Sequence, residues 1–90
     1  MSYGPSFSED ELRSRVRERI ADGRLPVVLS MELFAGTGTG HPCQVCDENI
    51  VSEHVEYEST DPHTGSQLTF HLTCHSVWRL ECLRRVQASH

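Results

Sequence analysis

The alternation of hydrophobic and polar positions predicts five regular segments, of which the first is an amphipathic helix over residues 8–22. Ser8 suits the N-cap position, and Glu11 completes a capping box with it. Gly23 suits the position just beyond the end of the helix. The remaining surface alternates Arg and Glu, as solvated helices do. The apolar stripe is narrow and consists of Leu12, Val16 and Ile20.

After this helix, the pattern predicts an extended segment over residues 27–34, followed by a glycine-rich connector over residues 36–40. A phosphate-binding loop would need a Lys and a helix directly afterwards, and neither is present. We therefore expect a flexible connector between two units. Residues 1–40 would form an arm of helix, strand and connector, and residues 41–90 a separate module. Four apolar residues of the extended segment would share one face: Val27, Leu29, Met31 and Leu33.

The second half predicts a β-hairpin followed by a helix. Residues 50–58 and 67–71 have strand patterns, and the residues between them are rich in turn formers. The last helix is predicted over residues 73–87. Two helices with antiparallel strands indicate a small α+β fold.

The apolar residues of this second helix do not form a single stripe. Trp78 and Cys82 lie on one side together with Val86, whereas Val77 and Leu80 lie well away from them. We expect Trp78 to anchor the core beneath the hairpin. The other side would be covered by the first helix, by the 27–34 segment or by a second copy of the chain, so a homodimer is predicted as one option.

Composition shows why a chain of this kind needs extra stabilisation. It has 90 residues, of which 37% are hydrophobic, so a single thin core is expected. The formal net charge is −5, and all 8 basic residues are Arg. An acidic chain is a poor default candidate for binding a phosphate backbone. No apolar run is long enough for a membrane helix, and the N-terminus lacks the pattern of a secretory signal, so a cytoplasmic location is expected.

The candidate chemistry lies in two short pairs, Cys43-x2-Cys46 and His71-x2-Cys74. A Cys-x2-Cys turn points two thiolates at one place, and positions i and i+3 at a helix start share a face. The hairpin between the pairs returns the chain to the first pair. Four N and S donors suit one structural Zn²⁺, and a closed set leaves no position for a catalytic water.

A knuckle, a β-hairpin and a helix that supplies the last two ligands resemble the treble-clef zinc finger over residues 43–87. The resemblance implies Cys43 and Cys46 as knuckle ligands and His71 and Cys74 as the pair at the helix start. The chain is also similar to small bacterial proteins without an assigned function that combine an Arg-rich helix, a Gly-rich loop and this ligand pattern. Treble clefs serve many functions, so the resemblance implies a fold and a metal rather than an activity.

Three alternatives remain open for the cysteines and the fourth ligand. Cys43 and Cys46 could form a redox dithiol, although the acidic residues after them do not predict the helix that such a motif opens. His75 could replace His71 as the ligand if the helix started later. Cys82 is interpreted as a buried core thiol, with a sensor thiol as the alternative.

The sequence favours a non-catalytic, zinc-stabilised module that binds another protein. No motif pairs a nucleophile with a base, so no enzymatic activity is expected. A nucleic-acid-binding zinc finger and a thiol redox or zinc sensor are the alternatives. Two surfaces are candidates for the partner. One is an acidic hairpin carrying Glu53, Glu56, Glu58 and Asp61, and the other is the Arg face of the first helix, with Arg13, Arg15, Arg17 and Arg19.

Overall fold

The computed structural model describes residues 7–28 and 32–88. They form two helices and a three-stranded antiparallel sheet in the strand order β1-β2-β3, which confirms the α+β class. The elements in chain order are α1 (Glu9–Ala21), β1 (Phe34–Thr37), β2 (Val55–Thr60), β3 (Gln67–Phe70) and α2 (Leu72–Ala88).

Helix α1 begins with the capping box that the sequence predicts. The Ser8 hydroxyl accepts the Glu11 backbone N–H at 3.2 Å, and the Glu11 carboxylate accepts the Ser8 N–H at 3.0 Å. Two N–H groups that no helical carbonyl can reach are thereby satisfied. Leu12 and Val16 of the predicted stripe are buried. Arg19 is also buried, which the apolar pattern did not indicate.

The first strand lies later in the chain than predicted. Only Phe34 belongs both to the predicted segment and to β1, and part of that segment, residues 29–31, lies outside the described residues. β1 continues into the glycine-rich stretch, and backbone hydrogen bonds then join Gly38 to His54 and Gly40 to Ile50. Glycine therefore allows close backbone approach here, whereas the sequence suggested a flexible connector. The division of the chain at residue 40 stays a prediction.

The hairpin and α2 form as predicted, although β2 begins at Val55 rather than near residue 50. One face of the hairpin packs on α2, where the Phe70 ring stacks on Trp78 with centroids 4.9 Å apart. Trp78 is fully buried, and its indole N–H donates to the Pro26 carbonyl at 3.0 Å. Trp78 is thus the predicted core anchor, and it also ties down the segment that follows α1.

Helix α1 packs against α2, and Val77 lies in the same buried cluster as Leu12 and Val16 of α1. Val77 is consequently buried, whereas Leu80 remains 52% exposed. Cys82 is fully buried, as its interpretation as a core thiol requires. Internal packing accounts for the burial of Val77, and Leu80 is exposed in a single copy of the chain. The homodimer therefore stays a prediction.

Candidate metal centre

The first two cysteines lie on a tight turn between β1 and β2. The Cys43 carbonyl accepts the Asp47 N–H at 3.0 Å, and the Cys43 N–H donates to Glu48 at 2.9 Å. Asp47 has a φ of 67°, a left-handed conformation that Asp tolerates better than most residues. The chain therefore reverses directly after Cys46, which brings the two thiols to the same side of the turn.

The second pair comes from the junction between β3 and α2. His71 directly follows β3, and Cys74 lies in the first turn of α2. Thr69 holds this junction against the knuckle: its carbonyl accepts the Gln44 N–H at 2.8 Å, and its hydroxyl donates to Pro42 at 2.7 Å. The sheet thereby places the two pairs beside each other.

Cys43, Cys46, His71 and Cys74 form one buried cluster. Their ligand atoms all lie within 4.8 Å of one another, and the Cys46 Sγ is 3.4 Å from the His71 Nδ1. Around a tetrahedral zinc with bonds of about 2.0–2.3 Å, neighbouring donors stand roughly 3.5–3.8 Å apart. None of the four residues is more than 3% exposed. The donor set and its spacing therefore suit a four-coordinate metal ion shielded from water.

The thiols perturb one another because they are crowded into a buried space. Hydrogen bonds from Cys46, and next from Cys74, lower the pKa of Cys43 far below its usual range. The same hydrogen bond with Cys43 raises the pKa of Cys46 to about 11, and hydrogen bonds with Cys43 and Cys46 raise that of Cys74 strongly. Three thiolates crowded into one buried space repel one another, so they require positive charge between them.

The alternative ligand and the fourth cysteine lie outside the cluster. His75 stacks on Tyr57 with centroids 5.3 Å apart, and burial, followed by the nearby Arg79 charge, lowers its pKa. The Cys82 thiol points to the Pro26 carbonyl, at 3.8 Å, and burial raises its pKa. The cluster thus includes His71 rather than His75, and Cys82 belongs to the core.

A contact between α1 and the knuckle was not predicted from the sequence. The Asp47 carboxylate accepts Arg19 at 2.7 Å and Arg15 at 3.4 Å, so that the turn carrying two of the cysteines is joined to the helix. The position of Asp47 directly after the Cys-x2-Cys turn was the one signal in the sequence for this contact. Asp47 has two arginine partners about 30 residues away in sequence, which no local pattern reveals.

The predicted Arg face of α1 is consequently occupied within the chain. Arg17 contacts Glu81 at 3.4 Å, and Arg13 contacts Glu9 at 2.7 Å. Since Arg15 and Arg19 contact Asp47, all four arginines have acidic neighbours in the same chain. The face is therefore largely a docking surface for the rest of the molecule.

The acidic hairpin is less solvated than the sequence suggested. Asp61 is buried and accepts the His63 N–H at 2.8 Å. Glu56 is also buried; its carboxylate accepts the N–H of Thr39 at 3.1 Å and the hydroxyl of Thr39 at 3.0 Å. Burial opposes ionisation of Glu56, but hydrogen bonds from Thr39, and then His41, lower its pKa overall. Glu53 and Glu58 are the more accessible acids.

We expect Asp47→Asn to weaken the attachment of α1 to the knuckle. Asn keeps the shape and tolerates the positive φ, but it loses the charge that holds Arg15 and Arg19. Because the Asp47 side chain is 62% exposed, solvent screens these ion pairs, and we expect a loss of about 1–2 kcal/mol of unfolding free energy. Urea unfolding measures this, with Arg13→Gln as a control on the exposed side of α1, expected to change stability by less than about 0.5 kcal/mol. Equal losses in both variants would contradict the assignment.

No family model matches the sequence, and no curated protein or solved structure was found to match it. Within residues 7–28 and 32–88, neither helix has the length and apolar character needed to cross a membrane.

Proposed function

We propose that this chain is a non-catalytic module that is stabilised by one structural zinc ion and binds another protein. The observation that carries the proposal is the closed, buried cluster of three thiols and one imidazole. Zinc favours this donor set, and a complete shell offers no open position for activating water. The topology of knuckle, hairpin and helix supports the resemblance to a treble-clef finger. A cytoplasmic location, in which thiols stay reduced, fits the proposal.

The experiment that tests the interaction role is affinity capture with the zinc-loaded chain from cells of the source organism. The variant Glu53→Lys/Glu58→Lys reverses the two accessible acids of the hairpin and leaves the core unchanged. We expect a protein partner that the wild type retains and this variant loses. Recovery of the same proteins by both chains, or of none, would overturn the interaction role through this surface.

Nucleic-acid binding is less well supported, because the arginines of α1 contact acidic residues of the same chain. A thiol sensor would need oxidant access to the cluster, and its four residues are nearly inaccessible. Both alternatives are tested directly. A gel shift with duplex DNA or RNA at low salt, or stoichiometric zinc release by micromolar peroxide within minutes, would favour the corresponding alternative.

A further inference from the structure

The open side of the sheet carries a groove that neither the metal cluster nor the core uses. It has a volume of about 240 Å³ and lies along β1 and β2, with Phe34, Gly36, Thr39, Glu56 and Glu58 among its lining residues. The antiparallel register places Phe34 opposite Glu58, and Gly36 opposite Glu56. Because directly opposite residues point to the same side of a sheet, the aromatic ring and both carboxylates belong to one face.

Gly36 leaves this groove open. A Cβ atom at Gly36 would meet no other atom within 4 Å, and the residue has no positive φ. The space above the strand is therefore free for a side chain that comes from elsewhere. Phe34 borders that space and is 62% exposed, so its ring is accessible to such a side chain.

The strand beside the groove is also unpaired on one side. Among residues 7–28 and 32–88, β1 is an edge strand with β2 as its neighbour. An exposed edge can accept an extended segment from another chain through backbone hydrogen bonds, while alternate side chains of that segment enter the neighbouring groove.

Charge determines which kind of segment fits. Residues 25–78 include the whole sheet and contain neither Lys nor Arg. Glu81 on α2, by comparison, contacts both Arg17 and Arg85. A cation in the groove would meet the Glu58 carboxylate and the face of the Phe34 ring, which are complementary to it. A second copy of this chain is a poor occupant, because its own sheet has two acids and no Lys or Arg. The segment from residue 25 to residue 78 carries seven acids in all: Glu32, Asp47, Glu48, Glu53, Glu56, Glu58 and Asp61.

We propose that β1 and the groove above Gly36 bind an extended, arginine-rich segment of a partner protein, with an Arg side chain between Phe34 and Glu58. This inference rests on the proposed function and specifies its partner. The segment adds to the sheet as a fourth strand. Arginines at alternate positions lie on the acidic face, since successive residues of a strand point to opposite sides.

The test is the fluorescence anisotropy of a labelled eight-residue peptide that alternates Arg and Thr, titrated with the zinc-loaded chain. Gly36→Val fills the groove and suits a strand, so we expect it to fold normally and to bind at least 10-fold more weakly. Glu58→Gln should weaken binding by about 5-fold. Glu53→Gln removes the same charge outside the groove and should change binding by less than 2-fold. A peptide with Glu in place of Arg should not bind.

Three outcomes would overturn the groove assignment. They are unchanged binding by Gly36→Val, equal weakening by Glu53→Gln and Glu58→Gln, and the absence of peptide binding by the wild type. Thermal unfolding verifies that each variant is folded, and Phe34→Ala replaces Gly36→Val if the latter is not. Light scattering during the titration detects a second copy as the occupant, which would also contradict the proposal. Repeating the capture experiment with Gly36→Val keeps the two proposals distinguishable, because a partner that Gly36→Val retains and Glu53→Lys/Glu58→Lys loses would support an interaction module without this groove.

Discussion

Replacing Cys74 with Ser is expected to unfold the chain and to abolish metal binding. Cys74 is fully buried at the start of α2, where its thiol joins the knuckle thiols to the second helix. Structural zinc sites contribute on the order of 10 kcal/mol or more, which is comparable to the whole stability of a small domain. Near-UV circular dichroism of Trp78 and the dispersion of the amide NMR spectrum should both collapse.

Cys82→Ser provides the matched control, because Cys82 is equally buried on the same helix but lies outside the cluster. The shorter Ser side chain loses the 3.8 Å thiol contact to Pro26 and buries a hydroxyl, so a loss of about 1–3 kcal/mol is expected, with full metal content. If Cys74→Ser remained folded with native stability, or if both variants lost structure equally, the cluster would not be the stabilising element.

Gly38→Ala is expected to cost about 3 kcal/mol or more of unfolding free energy, although it adds a single methyl group. Gly38 is buried where the chain leaves β1, and a Cβ there would collide with the backbone carbonyl oxygens of Val51 and Ile50. Backbone atoms cannot rotate away as a side chain can. The hydrogen bond from Gly38 to His54, 3.0 Å long, would be strained at the same time.

Gly36→Ala is the matched control two residues earlier in the same segment. A Cβ at Gly36 meets nothing within 4 Å, so this variant should be neutral or slightly stabilising, since Ala is less flexible than Gly when unfolded. Chemical denaturation of both variants gives the comparison. Equal stability of the two would show that the chain does not pass as close to Val51 as the structure indicates.

Local sequence patterns were sufficient to predict the structure wherever the interacting residues are close in sequence. The capping box of α1 depends on Ser8 and Glu11, three residues apart, and it forms as predicted. The hairpin follows from a turn-rich segment that includes Gly65, which has a φ of 77°. The metal cluster was predicted from ligand chemistry, since pairs of Cys and His separated by two residues have few other common functions.

Long-range packing explains what the sequence did not predict. The boundaries of β1 depend on pairing with β2, and Phe34 alone gives no sign of it. The burial of Arg19 depends on Asp47, and the burial of Glu56 depends on Thr39. In each case a polar residue that looks solvated becomes buried because a distant partner satisfies it.

Native mass spectrometry of the chain, purified without added metal and without a metal-affinity tag, tests the central claim most directly. We predict a single compact species that carries one zinc ion per chain and loses its compact charge states when a strong chelator removes the metal. A metal-free chain that keeps the same compact charge states, with all four cysteines reduced, would contradict the account.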